Sequence, residues 1–182
     1  FNIIGHFYPE KSKRIALTAH FDCRPQTDED PDSTRRNEPV LGANDGASGV
    51  ALLMEFVHII HEYEPPVGID IVFFDQEDSG LHDGSVPFCI GSMHYAENMS
   101  SRPDMLINFD MIADKDLQIF WEKFSYDQYP KFCEDFWRDG SSAFIWKTKY
   151  SIIDDHFPFL QKGIPAINII DFDYPVWHTT SD

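Results

Sequence analysis

A chain of 182 residues with 42% hydrophobic residues is long enough to bury one sizeable core. Its formal net charge of −17 argues against a surface that grips nucleic-acid phosphates or anionic membranes, and for cationic partners such as a free peptide amine. No run of about 18 apolar residues occurs, so no membrane span is expected.

In chain order, residues 14–20 form a short apolar run that reads as a buried strand. Residues 26–38 are polar, carry Pro31 with Pro25 and Pro39 at the flanks, and read as an exposed loop. From Asn44, Val50, Leu53, Met54, Val57 and Ile60 recur at helical spacing until Pro65-Pro66. Residues 69–75 are the next strand, 80–91 a loop and 92–99 a short helix. Strands are expected at 105–110, 117–121, 143–146 and 165–170, with helices at 129–137 and 155–160. Alternating strands and helices predict a single α/β domain over 1–182, a sandwich around a mostly parallel sheet, trimmed at both ends.

In such sheets, sites collect at the carboxyl ends of the strands. The acids and histidines fall there. His20 and Asp22 end the first strand, Asp75 to Asp78 the second and Asp110 the third, while His178 follows the last. Asp45 stands where the long helix begins, and Asp154-Asp155-His156 opens the short one. A catalytic zinc takes three ligands from His, Asp and Glu and keeps one position open. A neighbouring carboxylate that is not a ligand then moves protons. Glu77, with the longer reach, suits proton transfer, and Asp78 suits the metal.

The ordered set Ala19-His-Phe-Asp22, Gly42-Ala-Asn-Asp-Gly-Ala-Ser-Gly49, Phe73-Phe-Asp-Gln-Glu-Asp78, Gly91-Ser92, Asp110, Ile153-Asp-Asp-His-Phe-Pro-Phe159 and Val176-Trp-His-Thr179 resembles the zinc aminopeptidase superfamily. Within it, Glu77-Asp78, Asp154-Asp155-His156 and Trp177 beside His178 are most similar to glutaminyl cyclases of the bacterial, animal-like type. The resemblance covers nearly the whole chain from about Ile15. It implies a three-layer α/β/α sandwich of the zinc-exopeptidase kind, with a central mixed sheet.

The resemblance also implies Asp45, Asp78 and His178 as ligands of one zinc, Glu77 as proton shuttle, and Asp110 and Asp155 in an acidic hydrogen-bonded network with it. Trp177, Tyr174 and Phe88 would flank the substrate side chain. His20 and Asp110 would serve a second metal if there is one. The implied reaction converts N-terminal glutamine of peptides to pyroglutamate and releases ammonia. A zinc aminopeptidase and a binding domain without catalysis are the alternatives. Export from the cytoplasm is implied by what relatives commonly do.

Blander readings compete at several positions. Asp45 could cap its helix, Glu77 could be a solvated acid, and Asp154 reads as structural. His6, His58, His61, His82 and His94 are given no role, and Trp121, Trp137 and Trp146 read as core or surface aromatics. Asn98-Met-Ser100 fits a glycosylation sequon that arises often by chance. Cys23, Cys89 and Cys133 match no zinc spacing and leave at most one disulfide. Oligomeric state is not legible.

Overall fold

The computed structural model of the protein describes residues 1–138 and 140–182. The chain runs β1 (Ile3–Phe7), β2 (Arg14–His20), α1 (Ala47–Glu62), β3 (Gly68–Phe74), α2 (Ile90–Asn98), β4 (Met105–Asp110), β5 (Ile119–Trp121), α3 (Lys123–Gln128), α4 (Pro130–Arg138), β6 (Phe144–Thr148), α5 (Phe157–Gln161) and β7 (Ala166–Ile170). Five strands make one sheet in the order β1-β3-β2-β4-β7. β2 runs parallel to β3 and β4, and β4 to β7, while β1 joins β3 antiparallel at the edge. This is the mostly parallel mixed sheet the sequence predicts. β5 and β6 form a separate parallel pair instead of extending it.

Successive side chains of a strand face opposite ways, and here the two sets enter two cores. Leu17, Ala19, Ile69, Ile71, Ile107, Phe109, Ile167 and Ile169 pack with Leu53 and Ile60 of α1 and with Trp121 and Trp137. Ala16, Val72, Phe74, Leu106 and Ala166 pack with Tyr95 and Ala96 of α2 and with Phe159 and Leu160 of α5. Both faces are therefore covered, which is why these strands read as continuous apolar runs. Three layers result.

α1 lies very close to the sheet. A Cβ on Gly49 would stand 2.4 Å from the Phe109 carbonyl oxygen and 2.8 Å from the Ala19 Cβ, so no larger residue fits there. The helix starts at Ala47, with Gly46 (φ 93°) as its N-cap and no side-chain cap. Asp45, in the preceding turn, does not cap it and keeps its carboxylate for other partners. α5 likewise begins at Phe157, so Asp154 and Asp155 lie in the turn ahead of it. β1 and α3 are elements the sequence reading does not contain. Cys23, Cys89 and Cys133 are all free thiols.

Candidate metal centre and acidic pocket

The carboxyl ends of β2, β3, β4 and β7 bring the predicted residues to one edge. His178 Nε2 stands 3.2 Å from an Asp78 oxygen and 3.4 Å from an Asp45 oxygen, all three residues being buried. One ligand atom from each lies within 4.8 Å of the others. The remaining Asp78 oxygen and both ring nitrogens of His178 have no hydrogen-bond partner. Burying such groups unpartnered is costly, and a divalent cation bound by two carboxylates and one imidazole would satisfy the Asp78 oxygen and His178 Nε2 with the zinc donor types. The residues fit the metal.

A second donor set shares Asp45. His20 Nε2 stands 3.1 Å from Asp45 and 3.3 Å from Asp110, while its Nδ1 faces the Asp22 carbonyl oxygen at 3.1 Å. The turn between β2 and α1 is tied to the exit of β4. Asn44 Oδ1 accepts the Ala113 N–H (2.9 Å) and Ser48 Oγ accepts the Ile112 N–H (3.0 Å). The Gly-Ala-Asn-Asp-Gly-Ala-Ser-Gly stretch thus aims Asp45 and fixes the segment after Asp110 together.

The charges of this cluster hold protons strongly. Burial works against a charged His178, but Asp45 and Asp78 outweigh it and raise its pKa to about 9. Burial pushes Asp110 up to about 7 even though the His20 imidazole pulls the other way. Glu77 rises well above the carboxylate range through burial and the neighbouring Asp78, and Asp155 through burial and the neighbouring Asp154. Asp45 moves down: its burial is overcome by hydrogen bonds from His178 and His20.

Glu77 and Asp78 take different directions, as the sequence predicts. Asp78 faces His178, whereas Glu77 Oε1 accepts from the Cys89 thiol at 3.2 Å and lies near Asp154. Asp22 receives the N–H groups of both, at 3.0 and 3.1 Å. Asp155 is fully buried and neither carboxylate oxygen has a partner. Among the described residues no direct hydrogen bond joins Glu77 to Asp110 or Asp155. The three acids gather, but their hydrogen bonds run to Cys89, His20 and none respectively.

Asp154 stands on a buried polar ladder that the sequence reading lacks. Thr18 of β2, Asn108 of β4 and Asn168 of β7 occupy matched register positions. Thr18 donates to Asn108 (2.7 Å), and Asn108 donates to Asn168 (3.0 Å) and to both Asp154 oxygens (3.3 Å each). Asn168 and the Asp155 N–H also donate to Asp154. These bonds hold Asp154 beside Glu77, in the lining of the cleft.

Asp45, Glu77, Asp78, Asp110 and Asp154, but not Asp155, line a cleft of about 290 Å³, walled by Phe88, Ile153, Phe172 and Trp177. Trp177 stacks on His178, ring centroids 3.8 Å apart. Phe88 is among the lining residues. Tyr174 is not among the lining residues and lies instead against Asp182, where burial and that carboxylate raise its phenol to about 12. His82, which the sequence reading gives no role, lines the mouth.

Strand order, acids at the strand ends and a two-carboxylate, one-histidine donor set define the class as a zinc-exopeptidase-type fold. A model of peptidase family M28 matches residues 2–182, and the chain belongs to that family. A crystal structure of glutaminyl cyclase from Bacteroides thetaiotaomicron, bound to N-acetylhistamine, superposes with a TM-score of 0.91 at 35% identity, over 98% of this chain and 68% of that one. A leucine aminopeptidase precursor from the same species superposes with a TM-score of 0.92 at 35% identity, over 98% and 67%. The bovine glutaminyl-peptide cyclotransferase-like protein is 24% identical over all of this chain, which spans 54% of its length. Among the described residues no helix is long and apolar enough to cross a membrane.

Proposed function

We propose that this chain carries the catalytic centre of a zinc-dependent glutaminyl-peptide cyclotransferase, acting on the N-terminal glutamine of peptides or proteins. The observation that carries the reading is the split at residues 77 and 78. Asp78 joins Asp45 and His178, while Glu77 stands free of that donor set with its proton affinity raised above that of an ordinary carboxylate. The likeness to several bacterial glutaminyl cyclases supports it.

Asp45, Asp78 and His178 would hold one zinc, which when bound supplies a Lewis acid that polarises the substrate γ-carbonyl. Trp177 and Phe88 would confine the glutamine side chain so that its own α-amine meets the γ-carbon, the intramolecular geometry this reaction needs. Glu77 takes a proton from that amine as the N–C bond forms. It returns a proton to the nitrogen that leaves, so the C–N bond to the amide breaks with release of ammonia. Asp155 and Asp110, both shifted upward, keep protons in reach of Glu77.

One observation favours a second reading. His20, Asp45 and Asp110 converge as a second three-donor set, as a two-metal aminopeptidase would use. Peptides starting with Gln and with Leu, incubated with zinc-loaded enzyme and analysed by mass spectrometry, separate the two. Loss of ammonia from the Gln peptide alone, abolished in Glu77→Gln, is the expected result. Release of free leucine would make it an aminopeptidase.

A further inference from the structure

His178 has two faces. Nε2 points to Asp45 and Asp78, and the opposite side is enclosed by one segment, residues 22–30. Asp28 Oδ1 stands 3.4 Å from Nδ1 of His178. Nδ1 is buried and, among the described residues, has no hydrogen-bond partner; Asp28 Oδ1, which accepts from Arg24 Nε at 3.3 Å, is the carboxylate oxygen that stands beside it. The second Asp28 oxygen receives the Arg24 guanidinium at 2.5 Å, and the Arg24 side chain is completely buried. A buried guanidinium is costly unless its donors are used, and Arg24 uses them. It also donates to the carbonyl oxygens of Asp78 (2.8 Å) and Gly80 (2.6 Å), and Phe88 covers it at 5.1 Å.

Backbone contacts follow the same line. The Glu29 N–H donates to the His178 carbonyl at 3.3 Å. Asp30 accepts the Thr180 N–H (3.0 Å) and hydroxyl (2.7 Å). His178 itself sits at φ 54°, a left-handed conformation that costs a non-glycine residue and persists only where surroundings hold it. Among the described residues, the one other titratable side chain paired with Asp28 besides Arg24 and His178 is His82, whose Nε2 stands 3.3 Å from Asp28 Oδ2.

We propose that Asp28 is a positioning residue for the metal ligand His178. It receives the Nδ1–H, which fixes the tautomer that leaves Nε2 for the cation. Arg24 ties that carboxylate to the backbone carrying Asp78, so the 22–30 segment sets two of the three ligands as one unit. The inference rests on Asp45, Asp78 and His178 being the metal ligands.

The test measures zinc affinity by competition with a chromophoric chelator for the wild type, His178→Ala, Asp28→Asn and Asp28→Ala. Circular dichroism and thermal unfolding of the chelated proteins run alongside. Asp28→Ala is expected to weaken zinc binding about 10–100-fold, the usual cost of losing a carboxylate behind a ligating histidine. Asp28→Asn keeps the shape and one acceptor oxygen, so it folds like the wild type when chelated and loses part of that affinity. If His178→Ala loses zinc while Asp28→Asn and every folded Asp28→Ala preparation keep wild-type affinity, the positioning role is overturned alone. If His178→Ala binds zinc as the wild type does, the ligand assignment falls and this proposal with it.

Discussion

Asn108 shows how far the sheet interior carries the site. Its Oδ1 accepts from Thr18, and its amide donates to Asn168 and to Asp154, all four residues being buried. Asn108→Leu keeps the volume and removes every one of these bonds. The Thr18 hydroxyl and Asn168 carbonyl each lose a neutral partner, about 1 kcal/mol apiece, and the Asp154 carboxylate loses a bond worth about 1.5–3 kcal/mol. The expected destabilisation is therefore about 3–5 kcal/mol, a large share of a typical domain's stability. Thr18→Val, nearly isosteric, leaves only the Asn108 oxygen short of a donor and should cost about 1–2 kcal/mol. In the double variant the orphaned hydroxyl is gone, so it should be no less stable than Asn108→Leu alone. Urea unfolding followed by tryptophan fluorescence, compared at equal slope, measures all three. A cost for Asn108→Leu below about 1 kcal/mol, or costs that simply add, would falsify the ladder.

Gly49→Ala should destabilise by about 1–3 kcal/mol, because the Phe109 carbonyl occupies the space and α1 must move away from β4. Alanine's better helix propensity, about 1 kcal/mol, works the other way, so an unchanged or raised melting temperature would show that α1 does not rest on the strand. A pH series makes a separate test of the cluster. Asp110 (to about 7) and His178 (to about 9) both bind protons more tightly folded than unfolded. Stability from the Asp110 proton is full below its unfolded value and lost as pH rises through about 7; that from His178 is lost through about 9. Chelated protein should therefore melt lower as pH rises from 5 to 9 on these groups' account. Zinc displaces the His178 proton, so the melting-temperature gap between zinc-loaded and chelated protein should widen as pH rises toward about 9. A gap that stays flat or narrows would contradict it.

The strands of the main sheet were legible because residues buried on both faces leave an apolar run that needs no knowledge of the partner. β1 carries no such signal: Ile3 and Ile4 are 48% and 42% exposed at the sheet edge. α3 has no apolar stripe and owes its start to Glu122, whose oxygens accept the Phe124 and Ser125 N–H groups at 2.9 and 2.8 Å while His156 lies 3.0 Å away. Glutamate is not among the favoured capping residues, and its buried partner His156 lies more than thirty positions later, so the local pattern does not report the helix start. The separate pairing of β5 with β6 is hidden for the same reason. At the site, Asp45, Glu77, Asp78, Asp110 and His178 stand out because chemistry at strand ends has a positional rule. Asn108 and Asn168 act through partners more than ten residues away, and the Arg24–Asp28 pair, though local, meets Asp78 and His178 only through the fold. For Arg24 the one available signal was a lone cation before a run of acids. Tyr174 shows the converse: proximity in sequence to Trp177 did not put it in the wall.

Why two adjacent carboxylates should do different work is answered by the turn that presents them. β3 ends at Phe74 and the chain enters a left-handed position at Gln76 (φ 58°). Asp22, from the neighbouring strand end, then grips the N–H of Glu77 with one oxygen and that of Asp78 with the other. Two fixed N–H groups leave the two side chains diverging, Asp78 toward His178 and Glu77 toward Cys89 and Asp154. Had the strand simply continued, alternation would also have separated them, but across the two faces of a sheet and not at one pocket. The turn brings opposite directions to a single cavity. One carboxylate can then belong to the cation while the other, short of a cation and crowded by acids, has a raised proton affinity and is left to carry protons. Asp22 is thus the residue on which the division of labour depends, although its carboxylate is not one of the three donors and does not line the cleft.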